Sequence, residues 1–434
     1  MSFWTVAPFG CLLVVIALLP LVAEKWFDSN RNKAIVAGVI GIPTLIYLVA
    51  WFGHTGLQSA AAIGKDYVSF MVLLVALFTI SGGIYITGNL LATPRNNLVF
   101  LVVGAILANF IGTLGASMLL IRPLLRANSE RKHAKHTIIF FIFVVCNIGG
   151  LLIPLGPPLF LGFLRGVPFA WPLRLWPQWL LGVGLMLIAY MAIEIYYFRK
   201  EPVEARRMDE ADYVPMRLVG KLNIVLFAAV IAIVMLSGPL SRAGAIIHFP
   251  FLREVLLVAL IFVSLKVAPR GPRAANHFRW TPMVEVGVLF AGIFATMIPA
   301  LALLEARGAA LGLSQPWHYY WAAGGLSAFL DNAPTYLTFT AAAQGQLGIA
   351  STGALTATQV ASGLAFSPAQ FLAAISCGSV MMGAITYIGN APNLAVRAIA
   401  EHSGLKMPSF LGYMKYSLAV LLPIFAIVTL VFFI

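Results

Sequence analysis

Between Arg307 and Arg397 the chain carries a single formal charge, Asp331. The 89 residues from 308 to 396 are long enough to cross a bilayer more than once. A lone carboxylate in apolar sequence is costly and needs a partner or a proton. Asn332-Ala333-Pro334 follows it, and Pro334 has no backbone N–H to donate, so a helix is expected to break here. Broken backbone at membrane depth is tolerated only where it is buried in protein or lines a polar cavity. Asp331 is therefore expected in a membrane-embedded ion site.

The rest of the chain fits that setting. Its 434 residues are 61% hydrophobic and only 10% charged, which describes an all-α polytopic membrane protein, not a soluble enzyme with an anchor. The longest polar block, near 199–221, is too short for a separate domain. The first apolar run, Phe9–Ala23, lacks an Ala-x-Ala cleavage pattern and reads as a retained span. The net charge of +13 is accounted for by Lys and Arg in cytoplasmic loops, so the expected partner is the lipid bilayer and not nucleic acid. Cys11, Cys146 and Cys377 lie far apart in apolar runs and are expected as buried free thiols. The seven His show no metal-ligand spacing and no His-Glu-x-x-His pattern, which argues against a membrane zinc protease.

Twelve apolar runs are visible, near 4–23, 33–51, 68–88, 97–121, 136–156, 178–198, 222–240, 252–268, 283–304, 318–343, 370–398 and 411–434. If all twelve cross, the basic residues divide 16 against 12, a weak bias. If 97–121 and 318–343 are re-entrant hairpins that return to their own side, the division becomes 22 against 6. The positive-inside rule prefers the second arrangement. It has about ten transmembrane helices and two hairpins opening to opposite sides, as an inverted repeat requires. The first repeat then spans 1–200, with its hairpin near 97–125 and a broken helix near 136–163. A cytoplasmic linker occupies 201–221. The second repeat spans 222–434, with its hairpin near 318–343 and a broken helix near 370–398. Both halves show apolar runs interrupted by Gly, Asn and Pro at matching places, the pattern that marks a transporter binding site.

Four segments carry a family resemblance: GTLGASMLLIRPLLRAN (112–128), NIGGLLIPLGPPLFLGFLRGVPF (147–169), LDNAPTYLTF (330–339) and GNAPNLAVRAIAE (389–401). They resemble the NhaD-type sodium/proton antiporters of the ion transporter superfamily, which also includes citrate, dicarboxylate and arsenite permeases. The resemblance implies a scaffold, a transport set of hairpins and broken helices, an elevator-like movement, and a bacterial cytoplasmic (inner) membrane. Elevator-type scaffolds are often dimeric, so a homodimer is expected by analogy. There is one departure. The family pattern places an acidic residue between the Gly and the Pro-Pro of the first broken helix, whereas here Gly156 runs directly into Pro157.

The expected chemistry is exchange of Na⁺ (or Li⁺) for H⁺, with no cofactor beyond the transported ions. Sodium takes oxygen ligands, which broken helices supply from unwound carbonyls. The expected contributors are Asp331, Asn332, Thr335, Thr386, Asn390 and Asn393 in the second half, and Thr113, Ser117 and Asn147 in the first. The sodium site is centred on Asp331, Asn332 and Asn390. With Asp331 as the one titrating group, exchange of one proton per cation would be near-electroneutral. The alternative is a Na⁺- or H⁺-coupled transporter of a carboxylate anion, or an arsenite-type permease; an anion site favours hydroxyl and amide donors without a neighbouring carboxylate. Gly112, Gly115, Gly149 and Gly150 are expected to serve close packing. Glu194 and Glu285 are expected at the cytoplasmic surface near Arg199 and Arg279, Glu305 beside Arg307, and His133 and His136 in a solvated loop.

Overall fold

A computed structural model of the protein describes residues 3–27, 29–202, 214–242, 251–360 and 365–434. Residues 203–213 of the expected linker, and 361–364 of the uncharged stretch before the second broken helix, lie outside the described residues. The chain is helical because its long apolar runs must satisfy their backbone groups internally in lipid. The first principal helices are α1 (Ala7–Val22), α2 (Asn30–Gly82), α3 (Pro94–Ala127), α4 (Lys135–Val144), α5 (Pro157–Leu164) and α6 (Trp176–Arg199). They are followed by α7 (Lys221–Arg242), α8 (Leu252–Val267), α9 (Thr281–Arg307), α10 (Pro316–Ser327) and α11 (Asn332–Leu347). The last are α12 (Pro368–Met381), α13 (Ala391–His402) and α14 (Phe410–Phe432). Among the described residues seven helical stretches are long and apolar enough to cross a membrane. The strands described are Tyr85–Thr87 and Arg217–Val219, paired antiparallel with Ile86 opposite Leu218.

The chain divides into two compact units. The first comprises Met1–Val75, Pro157–Pro168 and Arg279–Ser379. Small residues let its helices approach closely. A Cβ at Gly292 of α9 would lie 2.8 Å from the Ala37 Cβ of α2, and one at Gly41 would lie 3.4 Å from the Ala295 Cβ. A Cβ at Gly345 of α11 would collide with the Leu304 carbonyl oxygen of α9, and one at Gly308 with that of Ala342. α10 and α11 pack together across the turn 328–331. The Ser327 hydroxyl, at the end of α10, donates to the Ser379 carbonyl at 2.6 Å. Glu285 pairs with Lys33 at 2.7 Å, not with Arg279 as expected, because the start of α2 packs beside α9. Asp66 lies 3.6 Å from Arg165.

The second unit comprises Ala76–Gly156, Phe169–Phe278 and Val380–Ile434. In it α3 doubles back on itself. Asn97 and Asn128 exchange side-chain hydrogen bonds of 2.9 Å although they are 31 residues apart. A straight helix would hold them about 46 Å apart at about 1.5 Å per residue. The reversal occurs at Gly112, where φ is 70° and ψ 159°. The two arms are in contact, since a Cβ at Gly104 would lie 3.2 Å from Leu120 Cδ1. Gly112 is thus a turn, not the packing residue expected, and a Cβ there would meet nothing closer than 3.5 Å. Gly149 and Gly150 do serve packing. Added Cβ atoms would meet the Val144 carbonyl oxygen at 2.8 Å and the Thr113 methyl at 2.6 Å.

The loops of this unit are tied together. Glu201 accepts backbone N–H groups of Lys132 at 3.0 Å and His133 at 2.8 Å. Arg126 donates to the Tyr85 hydroxyl at 2.8 Å and to the Ile86 carbonyl. Asn276 donates to the carbonyls of Gly82 at 3.1 Å and Ile84 at 2.7 Å. These contacts join loops that the 22 to 6 charge division assigns to one side. Twelve crossings would instead put the ends of the 85–87 and 217–219 pair on opposite sides, and likewise Asp66 and Arg165 in the first unit.

Candidate transport site

The two expected broken helices are interrupted where the sequence mixes Gly, Pro and Asn. α4 ends at Val144, and no further α-helix begins until Pro157. α12 ends at Met381, a short 3-10 turn covers Met382–Ile385, and α13 begins at Ala391. In the second unit these interruptions meet through three buried carboxamides. Asn147 Nδ2 donates to the Ile142 carbonyl at 2.8 Å and to Asn393 Oδ1 at 2.9 Å. Asn390 Nδ2 donates to the Cys146 carbonyl at 2.8 Å and to Asn147 Oδ1 at 3.2 Å. Asn393 Nδ2 donates to the carbonyls of Gly383 and Thr386, both at 2.9 Å. The Thr386 hydroxyl accepts the Gly389 N–H at 3.1 Å.

All six amide hydrogens of the three asparagines are therefore committed, four to backbone carbonyls beside the breaks and two to the side-chain oxygens of Asn393 and Asn147. An unpaired buried carbonyl would cost the full desolvation penalty, so this lock is what makes the interruptions affordable at depth. Thr113 borders it with its methyl against Gly150, and its hydroxyl makes no hydrogen bond among the described residues. The Ser117 hydroxyl donates to the Leu114 carbonyl at 2.9 Å and faces Cys146. Six of the nine expected site residues thus form one neighbourhood.

The other three belong to the first unit. Asp331 is half-buried at the turn before α11 and caps it, Oδ1 accepting the Ala333 N–H at 3.2 Å. The Thr335 hydroxyl donates to the Asp331 carbonyl at 3.1 Å. No ion pair joins Asp331 to a cation among the described residues. Asn332 is 3% exposed, and its Oδ1 has no hydrogen-bond partner among the described residues. A buried acceptor next to an uncompensated carboxylate suits a proton or a hard cation. Asn390, expected to complete the sodium site, has its described contacts with Cys146 and Asn147 in the other unit.

Sequence reading missed Asn109. Its Oδ1 accepts the Leu152 N–H at 2.8 Å, tying the tip of the α3 fold-back to the first interruption. The signal was available as an amide in an apolar run one turn before Gly112. The reading also misplaced Glu194, which is fully buried with Arg131 and His136 as partners, not Arg199. His136 is buried with it, and not in a solvated loop, because the 129–134 turn packs onto α6. Cys11 is exposed on α1, while Cys146 and Cys377 are buried.

A sequence-family model described as "Putative citrate transport" matches residues 1–433. The chain belongs to this citrate transport family. It is a multi-pass integral membrane transport protein of the ion transporter superfamily, not an enzyme. No curated protein matches it. The resemblance to the superfamily is thus upheld, while the match names citrate transport and not NhaD-type antiport.

Proposed function

We propose that the protein is a secondary transporter of a citrate-type carboxylate anion, coupled to Na⁺ or H⁺ and working by alternating access. The observation that carries this reading is the family match over residues 1–433. The composition of the broken-helix junction supports it, being polar, uncharged and built from hydroxyl and amide residues. Because the amide donors are spent on the lock, anion recognition falls to groups the lock leaves free. These are the Thr113 hydroxyl and the Ala391 N–H at the start of α13, since Pro392 has no N–H and the Asn393 N–H is bonded to the Asn390 carbonyl at 3.0 Å. A helix N-terminus attracts anions through its partial positive charge. The coupling ion is assigned to Asp331 with the unpartnered Asn332 oxygen, because a carboxylate can hold a proton or a cation but poorly both. The fold-back at Gly112 and the α10–α11 pair are the two re-entrant hairpins in this scheme, one in each inverted repeat.

A second reading, Na⁺/H⁺ exchange without an organic substrate, is favoured by Asp331 as the lone charge of 308–396. One experiment separates the two. Purified protein in proteoliposomes is given an inward Na⁺ or H⁺ gradient, with labelled citrate outside and a pH dye inside. Gradient-driven accumulation of citrate is expected. Sodium-driven proton movement without citrate uptake would overturn the anion reading in favour of antiport.

A further inference from the structure

The transport scheme leaves unused a buried charged cluster at the base of the α3 fold-back. Its centre is Glu194 of α6, which is fully buried. Arg131 grips both carboxylate oxygens, with Nη1 2.5 Å from Oε1 and Nη2 3.3 Å from Oε2. Asn97, from the first arm of α3, donates to Oε1 at 3.1 Å. Asn128, just beyond the second arm, is bonded to Asn97 and accepts from Arg131 Nη1 at 3.3 Å. His136, at the start of α4, places Nε2 2.5 Å from Glu194 Oε2. One carboxylate thus gathers both ends of the fold-back and the start of the first broken helix.

The charges that face one another here can be counted. The helix 176–199 contributes Glu194, with Tyr190 and Tyr197 against the His136 ring. The residues after it contribute Glu201, buried, 3.6 Å from Arg131 Nε. The 129–136 segment contributes Arg131 and His136, with His133 packed edge-on against Tyr197. The two arms of α3 contribute neutral amides, Asn97 at the start and Asn128 just beyond the end. Two carboxylates therefore face one guanidinium, and the set is neutral only when His136 is an imidazolium. A neutral His136 leaves one uncompensated negative charge in a buried place, which is costly, and replaces a charge-assisted hydrogen bond by a weaker one.

We propose that Glu194, Arg131, Asn97, Asn128 and His136 form a proton-dependent clasp. With His136 protonated it holds the two ends of the fold-back together against α6, and losing that proton loosens them. Glu194 is a positioning residue in this scheme, acting on the transport elements through their anchorage. The clasp does not depend on which substrate is carried.

Hydrogen–deuterium exchange of the full-length protein in nanodiscs tests it. Peptides covering 94–128 are followed between about pH 5 and 10 and corrected for intrinsic exchange. In the unaltered protein their exchange is expected to rise several-fold toward alkaline pH, while peptides covering 281–307 stay constant. His136→Gln is expected to show the high exchange at every pH. Glu194→Gln leaves Glu201 balanced by Arg131 and is expected to lose the pH dependence. Flat exchange across pH in the unaltered protein, or an unchanged pH dependence in His136→Gln, would overturn the clasp. The unaltered series needs no variant, so a substitution that fails to fold leaves the test intact.

Discussion

At Asp331 one side chain serves the fold and, in the proposed cycle, the coupling ion. As a cap it satisfies the Ala333 N–H. Asn caps helices as well as Asp does, so Asp331→Asn is expected to cost only the charge–dipole contribution, about 0.3–1 kcal/mol. Coupled uptake should nevertheless fall to background in proteoliposomes, and wild-type coupling in this variant would remove Asp331 from the mechanism. Asn332 and Asn147 separate the same two roles. Asn332 Oδ1 has no partner to lose among the described residues, so Asn332→Ala should change stability by less than about 1 kcal/mol while weakening ion dependence. Asn147 holds both interruptions at once, so Asn147→Ala should destabilise by about 1–3 kcal/mol, read as a lower thermal midpoint in detergent. If Asn332→Ala lowers the midpoint as much as Asn147→Ala does, Asn332 is structural and the assignment of its oxygen to the ion is lost.

At the scale of the element, the fold-back in α3 depends on a backbone conformation more than on space. Gly112 sits at φ 70° and ψ 159°, a region essentially restricted to glycine. A Cβ there would fit, with its nearest neighbour, the Leu155 carbonyl oxygen, 3.5 Å away. Gly112→Ala is therefore expected to lose about 1–3 kcal/mol through strain alone. Gly115 makes a control three residues on. A Cβ there meets Ile111 at 3.5 Å, an ordinary contact, and its backbone is helical. Gly115→Ala should leave the thermal midpoint in place or raise it slightly. Equal losses at both positions would mean that helix packing, and not the turn, sets the cost.

Over the whole molecule, the charge distribution and the loop contacts make one statement about sidedness. Ser129 and Met216 are exposed in loops assigned to the basic, cytoplasmic side, and Ser314 is exposed in a loop assigned to the outside. Single cysteines at these positions, in a background lacking Cys11, Cys146 and Cys377, should separate in intact cells. A membrane-impermeant maleimide is expected to label Ser314→Cys and spare Ser129→Cys and Met216→Cys until the membrane is opened. Labelling of Met216→Cys but not Ser129→Cys would break the pairing of the 122–135 and 199–221 loops.

Much of this protein is legible in its amino-acid sequence, because the bilayer leaves a chain few options. Long apolar runs must be helices, basic loops must collect on one side, and a lone Asp before Asn-Ala-Pro must sit where the helix breaks. Those are local or compositional consequences, and they determined the membrane class, the interruptions near 147–156 and 386–390, and the candidates Asp331, Asn390 and Asn393. What the side chains bond to was decided only by the tertiary structure. Hydrogen-bond commitment depends on which breaks meet, and residues 147 and 393 meet only once the helices have packed. The same holds for Glu194. From sequence it is one acid near a basic helix end, and only the return of α3 to Asn128 surrounds it with Asn97, Arg131 and His136 and buries it. Burial turns a surface charge into one that needs a balance, and burial is a property of the packed helices and not of the residue.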